Sequence, residues 1–270
     1  FYSKYKELLD YYLDLSAEAQ YHSYEVMNRE VSFMFASILT NDCISRGKSI
    51  LDGGVRYLGG TNETYGNINS SDALYAIKTL VFDQKKYTLK ELNEAAHHNF
   101  KGYEKIREEL WNCGKYGNDI EEADELANDL YEFVAKGNRD RGLKKGMDYF
   151  LIVISNNQTN TEWGRKTSAS LDGRYSGQFM NPANNPQGGA DKNGPTAVIN
   201  SVSKLPNSRV AAGQLLNMRF SPGSLEGDDN LEKFVGFLKA SVKKGIYHNQ
   251  FNIVDSKVLL DAKENPENYT

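Results

Sequence analysis

Leu215-Leu216-Asn217-Met218-Arg219-Phe220 and His248-Asn249-Gln250-Phe251-Asn252-Ile253 decide the reading of the fold, because a helical pattern separates them. Residues 214–220 and 247–254 have the length and alternation of strands. Between them, Asp229 and Glu232 have the spacing of a capping box, in which a short polar side chain and a Glu three residues on satisfy each other's orphan amides. That box opens a helix with Phe234, Phe237 and Leu238 on one face, ending at Gly245. Residues 256–263 read as a further helix. Strand, helix, strand, helix predicts an α/β layer with parallel strands. Residues 149–154, short, apolar and β-branched, add another strand.

Upstream the pattern is different. All six prolines lie from Pro182 onward, and residues 1–46 contain neither Gly nor Pro. Tyr5, Leu8, Leu9, Tyr12 and Leu13 recur on one helical face, so one long helix or two in sequence is expected. Thr88 with Glu91 and Asn118 with Glu121 predict two more helix starts, and Ser70 or Ser71 a third, carrying Leu74, Ile77, Leu80 and Val81. The helix after Asn118 is expected to stop near Gly137, where glycine tolerates a left-handed cap. The Asn-, Gly- and Ser-rich stretch up to Gly194 is too long for a plain connection and implies function or ordering by a partner.

The 270 residues carry 32 Lys+Arg against 36 Asp+Glu, a net charge of −4, which argues against a basic nucleic-acid footprint. No stretch reaches the roughly 18–20 uninterrupted apolar residues of a membrane span. Cys43 and Cys113 are too few and too far apart for a disulfide framework, so a reducing, cytoplasmic setting is the default. Gly47-Lys48-Ser49 matches the end of a phosphate-binding loop, but that pattern needs Gly at position 42, where Asp42 stands; Gly47 reads better as a helix cap. His97 and His98 are adjacent and point to different sides of a helix, which disfavours a zinc site. Glu121, Glu122, Asp124 and Glu125 read as a solvated helix face. Residue chemistry alone yields no self-sufficient catalytic constellation.

An ordered run of segments resembles the glycyl radical enzymes, the family of pyruvate formate-lyase, glycerol and hydroxyproline dehydratases and choline trimethylamine-lyase. The run comprises Asp52-Gly53-Gly54-Val55-Arg56-Tyr57, Ser71-Asp72-Ala73-Leu74 and Lys115-Tyr116-Gly117-Asn118-Asp119. It continues with Asp172-Gly173-Arg174, Asn193-Gly194-Pro195-Thr196-Ala197, Ser201-Val202-Ser203-Lys204-Leu205, Gln250-Phe251-Asn252 and Asn265-Pro266-Glu267-Asn268-Tyr269. The resemblance implies part of a ten-stranded α/β barrel, with residues 1–146 as a mainly helical wrapping region and residues 147–270 as an α/β half-barrel region of one larger domain. It also implies radical-based lyase or dehydratase chemistry on a small polar substrate. In that family a glycyl radical, installed by an S-adenosylmethionine iron-sulfur activating enzyme, generates a cysteine thiyl that attacks the substrate inside a barrel that excludes water.

The sequence departs from the family at the reacting groups. Cys43 lies between Asp42 and Ile44 and Cys113 between Asn112 and Gly114, so neither stands in the family's Gly-Cys-x-Glu setting, and no Arg-Val-x-Gly-Tyr segment occurs. The chain is therefore expected to correspond to the stretch between the two reacting loops, with no catalytic residue and no bound cofactor or metal of its own. It would depend on a longer chain, a homo-oligomer or a complementing chain, and on the activating enzyme. The resemblance places Asn160, Thr161, Glu162 and Trp163 in a loop at a barrel strand end that contributes to the substrate pocket in some members. A non-catalytic binding or scaffold protein on the same fold is the alternative.

Overall fold

The computed structural model describes residues 1–153, 158–210 and 215–269. Ile154 and Gln214, which the sequence reading includes in strands, lie outside them. In chain order the elements are α1 (Tyr2–Glu30), α2 (Met34–Leu39), α3 (Cys43–Arg46), β1 (Gly59–Glu63), α4 (Asn67–Ile77), α5 (Leu89–His97), α6 (Glu104–Asn112) and α7 (Glu121–Lys144). There follow β2 (Tyr149–Val153), α8 (Thr159–Arg165), α9 (Gly194–Ser203), β3 (Leu215–Phe220), α10 (Asp228–Lys243), β4 (His248–Ile253) and α11 (Ser256–Glu264). The chain divides into two compact units, and each draws on residues from both sides of position 146.

The first unit holds residues 1–64, 129–153 and 208–210. The proline-free start forms one helix, α1, which buries Leu13 and Ala17 and leaves Leu8, Tyr11, Tyr12 and Leu15 exposed. Gly47 closes α3 in the left-handed region, at φ 64°. No local pattern predicts the strand β1, since Gly59-Gly60-Thr61-Asn62-Glu63 has no apolar alternation. It forms because β2 is beside it: the two pair in parallel from Gly59 with Tyr149 to Glu63 with Val153. The register is pinned at its start by Asp148, whose N–H donates to the Leu58 carbonyl (2.6 Å) and whose Oδ2 accepts from the Leu58 N–H (2.7 Å).

Two expectations about α7 are corrected. It continues through Gly137 to Lys144, because Gly137 and Gly142 are packing residues and not caps. A Cβ on Gly137 would come within 2.8 Å of Leu13, and one on Gly142 within 2.3 Å of the Phe150 Cβ. Nor does Asn118 cap it; that side chain is used elsewhere, as described below.

The second unit holds residues 65–128, 158–207 and 215–269. Its core gathers Ala76, Leu80, Leu92, Ala95, Phe100 and Leu110. The α5 capping box is present, with Glu91 N–H donating to Thr88 Oγ1 and the Glu91 carboxylate accepting from the Thr88 N–H. The α4 start differs from expectation: Gly66 occupies the cap, and Ser71 lies inside the helix with its hydroxyl donating to the Ile68 carbonyl. The α10 box is also absent. Gly227 caps that helix, while Asp228 and Asp229 in the first turn favour the positive end of its dipole.

The segment β3–α10–β4 is the expected parallel unit, paired from Leu215 with His248 to Phe220 with Ile253. Phe220, Phe234, Phe237 and Phe251 lock the helix to the sheet with ring centroids 5.2–6.4 Å apart, the range of edge-to-face and offset packing. The architecture of the described residues is mixed α/β with two two-stranded parallel sheets.

Candidate functional site

The sequence segments that lie far apart in the second unit meet in one buried polar network. Asp172 opens a tight turn in which its Oδ1 accepts from Ser170 Oγ (2.5 Å) and the Arg174 N–H (3.3 Å). Its Oδ2 accepts from Asn69 Nδ2 (2.6 Å), and its carbonyl accepts from Lys115 Nζ (2.7 Å). Lys115, only 4% exposed, also donates to the Leu110 carbonyl (2.9 Å). Arg174 is fully enclosed, and its guanidinium is consumed by Ser170 Oγ and the carbonyls of Ser168, Tyr175 and Gln178. Such groups survive burial because nearly every donor has an acceptor.

Asn69 links this turn to the Asn-rich segment. Its Nδ2 also donates to Gln187 Oε1 (2.9 Å), and its Oδ1 accepts from the Asn181 N–H (2.8 Å). Asn118 does the same one layer away: its Oδ1 accepts from the N–H groups of Lys192 (2.7 Å) and Asn193 (3.1 Å), and its Nδ2 donates to the carbonyls of Lys115 and Ala190. The long polar stretch is thus ordered by the chain itself.

Two carboxyl groups in the network are strained electrostatically. Asp72 accepts the Tyr116 N–H on Oδ1 (2.9 Å), while its Oδ2 is buried without a hydrogen-bond partner. Burial pushes its pKa up to about 7, against the pull of Lys115 and the Tyr116 N–H. Asp124, fully buried, is likewise raised by burial, although its Oδ2 accepts from Lys204 Nζ (2.9 Å) and Ser201 Oγ (3.0 Å).

Beside the network is a cleft of about 720 Å³, bordered by Pro182, Asn185, Asp191, Pro195, Asn217 and Arg219. The Asn185 side chain forms one of its walls in the manner of a neighbouring strand: its Oδ1 accepts from the Asn217 N–H (3.0 Å) and its Nδ2 donates to the Asn217 carbonyl. The volume falls in the range of small-molecule sites.

The expected substrate-contacting residues occupy α8, a helix and not a loop. Asn160 is buried and tied to Met180, donating to its carbonyl (3.1 Å) and accepting its N–H on the backbone oxygen (3.2 Å). The Thr161 N–H donates to the Gln158 carbonyl (3.0 Å). Glu162 is exposed and pairs with Arg165 (2.7 Å), and Trp163 is 52% exposed with Lys166 over its ring. Asn160 thus turns inward, while Glu162 and Trp163 face solvent.

Cys43 is buried at the start of α3. Cys113 is half-buried at the end of α6, with its thiol pushed up chiefly by burial. Among the described residues, no group of three or more His, Cys, Asp and Glu side chains could hold a metal ion, and no helix is long and apolar enough to cross a membrane. Of the network residues whose roles the sequence does not signal, Asn181 and Gln187 lie in the long Asn-rich stretch, whereas Asn69 lies within α4 and Asn217 within β3, where no spacing marks a polar partner.

Residues 1–160 match the family model described as pyruvate formate lyase-like, and residues 180–270 match the one described as glycine radical. The chain is 32% identical over 269 residues to the trans-4-hydroxy-L-proline dehydratase of Clostridioides difficile, covering 99% of this chain and 34% of that one. It is 34% identical to the probable dehydratase YbiW of Escherichia coli K12, over 96% of this chain and 33% of the relative. The glycerol-bound B12-independent glycerol dehydratase of Clostridium butyricum superposes with a TM-score of 0.90 at 34% identity, over 100% of this chain and 34% of that one. The chain spans about a third of the length of these relatives. Its full-length match to them and the family model over residues 1–160 place it plainly: the chain belongs to the pyruvate formate lyase-like family of glycyl radical enzymes.

Proposed function

We propose that this chain forms one portion of a radical dehydratase or lyase acting on a small polar substrate. In this reading residues 1–146 and 147–270 are the helical wrapping and half-barrel parts of a single larger domain, a ten-stranded α/β barrel. The observation that carries it is end-to-end similarity to dehydratases of which the chain spans about a third. The Gly-Cys-x-Glu and Arg-Val-x-Gly-Tyr loops come from other residues, on the same polypeptide or on a partner, because neither motif occurs in these 270 residues. A glycyl radical, installed by an activating enzyme that uses S-adenosylmethionine, supplies the hydrogen-abstracting chemistry in the assembled enzyme. One part of this chain's contribution is architectural: the network around Asp172 and Asn69 holds the segment between α8 and α9 in one conformation. Asn160, Thr161, Glu162 and Trp163 border the substrate, and the assembly works in the anaerobic cytoplasm.

The absent cysteine loop favours a second reading, a non-catalytic binding or scaffold protein on the same fold. Anaerobic turnover separates the two. The chain is combined with a polypeptide carrying both loops and with an activating enzyme, and offered glycerol, propane-1,2-diol or trans-4-hydroxy-L-proline. Loss of water from one of them, dependent on this chain, is expected. Equal turnover without the chain would leave the scaffold reading standing.

A further inference from the structure

The segment between α8 and α9 ends on Asn193-Gly194, the one Asn-Gly pair among the 270 residues. Such a pair carries its own reactants. Attack of the Gly194 backbone nitrogen on the Asn193 side-chain carbonyl carbon closes a five-membered ring, and glycine has no Cβ to obstruct it. Glycine is required there, since the chain enters α9 at φ 82°. The space that a Cβ would fill holds no heavy atom from elsewhere in the fold within 4 Å. Asn193 and Gly194 are both exposed, so water reaches them.

Against this reactivity stands the buried Asn118. Its Oδ1 accepts the N–H groups of Lys192 (2.7 Å) and Asn193 (3.1 Å), and its carbonyl accepts from Asn193 Nδ2 (3.0 Å). Backbone and side chain of Asn193 are thereby tied to one residue. Asn118 is fixed in turn, donating from Nδ2 to the carbonyls of Lys115 (3.2 Å) and Ala190 (2.8 Å). In this arrangement ψ of Asn193 is 13°, so its own nitrogen nearly eclipses the Gly194 nitrogen about the Cα–C bond. The planar imide ring needs Cβ in that eclipsed place instead. Reaching it requires rotation about the Cα–C bond and loss of the Nδ2 contact.

We propose that Asn193-Gly194 is a latent self-modification site and that Asn118 is the positioning residue that holds it unreacted. When the clamp opens, the Gly194 N–H gives its proton to solvent and a bond forms between Gly194 N and Asn193 Cγ. The Cγ–Nδ2 bond breaks, and Nδ2 takes up a proton and leaves as ammonia. Water then opens the ring at either carbonyl, giving an aspartyl or isoaspartyl residue at position 193. No electrons are transferred, and water is the sole co-reactant. Either product puts a carboxylate at the amino end of α9, where the helix dipole favours it. The isoaspartyl form also lengthens the main chain by one carbon next to Gly194 and Pro195, on the border of the cleft. The inference stands independently of the radical reaction.

Peptide mapping by mass spectrometry, on the full chain held in mildly alkaline buffer, tests it. Asn193 is expected to convert at least about tenfold faster in urea than in the folded chain. Asn118→Ala, with folding verified by circular dichroism, should raise the folded-state rate at Asn193 about tenfold or more and leave the rate in urea unchanged. Conversion at Asn207-Ser208, which Asn118 does not touch, should stay the same in that variant. Hydrogen exchange of the Asn193 N–H provides a measurement on the unaltered chain: its protection factor should agree within about tenfold with the slowing of conversion by folding. Equal conversion in urea and in the folded chain, an unchanged folded-state rate in Asn118→Ala, an equal rise at Asn207, or protection that does not track conversion would overturn the proposal.

Discussion

Asp72 is the residue at which burial and charge conflict most sharply. Its folded-state pKa of about 7 lies above the usual carboxylate value, so the folded chain holds a proton that the unfolded chain releases. This group's contribution to stability is therefore fully present below about pH 4 and is lost as pH rises through about 7. Asp72→Asn keeps an acceptor for the Tyr116 N–H and removes the buried charge. The variant should gain on the order of 1–4 kcal/mol over the unaltered chain at pH 8 and lose that advantage towards pH 4, read from urea unfolding across pH. A constant difference across that range would place the Asp72 pKa near its ordinary value. Asn69 makes the opposite case, since three partners depend on it: Asp172, Gln187 and the Asn181 N–H. Asn69→Ala should cost about 1–3 kcal/mol by stranding Asp172 and the Asn181 N–H, and an unchanged urea midpoint would show that the network is slack.

At the scale of elements, Gly142 in α7 discriminates propensity from packing. On helix propensity alone Gly→Ala should stabilise by about 1 kcal/mol. Here the new methyl would meet Phe150, including its backbone nitrogen at 3.2 Å, so β2 must move. Gly142→Ala should instead destabilise the chain by about 1–3 kcal/mol, and a raised melting temperature would refute that packing. The same contrast explains what could be read from sequence. The Thr88 box, the strands β2, β3 and β4 and the helix α11 follow from local chemistry, and the structure contains them. The strand β1 and the full length of α7 depend on what packs alongside, and the caps at Gly66 and Gly227 on glycine at positive φ, neither of which capping-box spacing encodes. The candidate site divides the same way. Asp172, Lys115 and Asn118 were visible as members of motifs, whereas Asn69 and Gln187 gain their roles from partners more than 100 residues distant.

At the scale of the whole molecule, the proposed chemistry is a matter of assembly. The two parallel strand pairs are small sheets by themselves, and unpaired strand edges favour association. The helices α2 and α11 leave Phe35, Leu39 and Leu260 largely exposed, in keeping with a chain that spans about a third of its relatives. These residues are proposed to complete a glycyl radical enzyme. Anaerobic electron paramagnetic resonance tests it most directly, on a loop-bearing polypeptide treated with activating enzyme and S-adenosylmethionine, with and without this chain. A persistent glycyl radical doublet only in the sample containing the chain is the predicted result. A doublet of equal intensity and lifetime in both samples would contradict it.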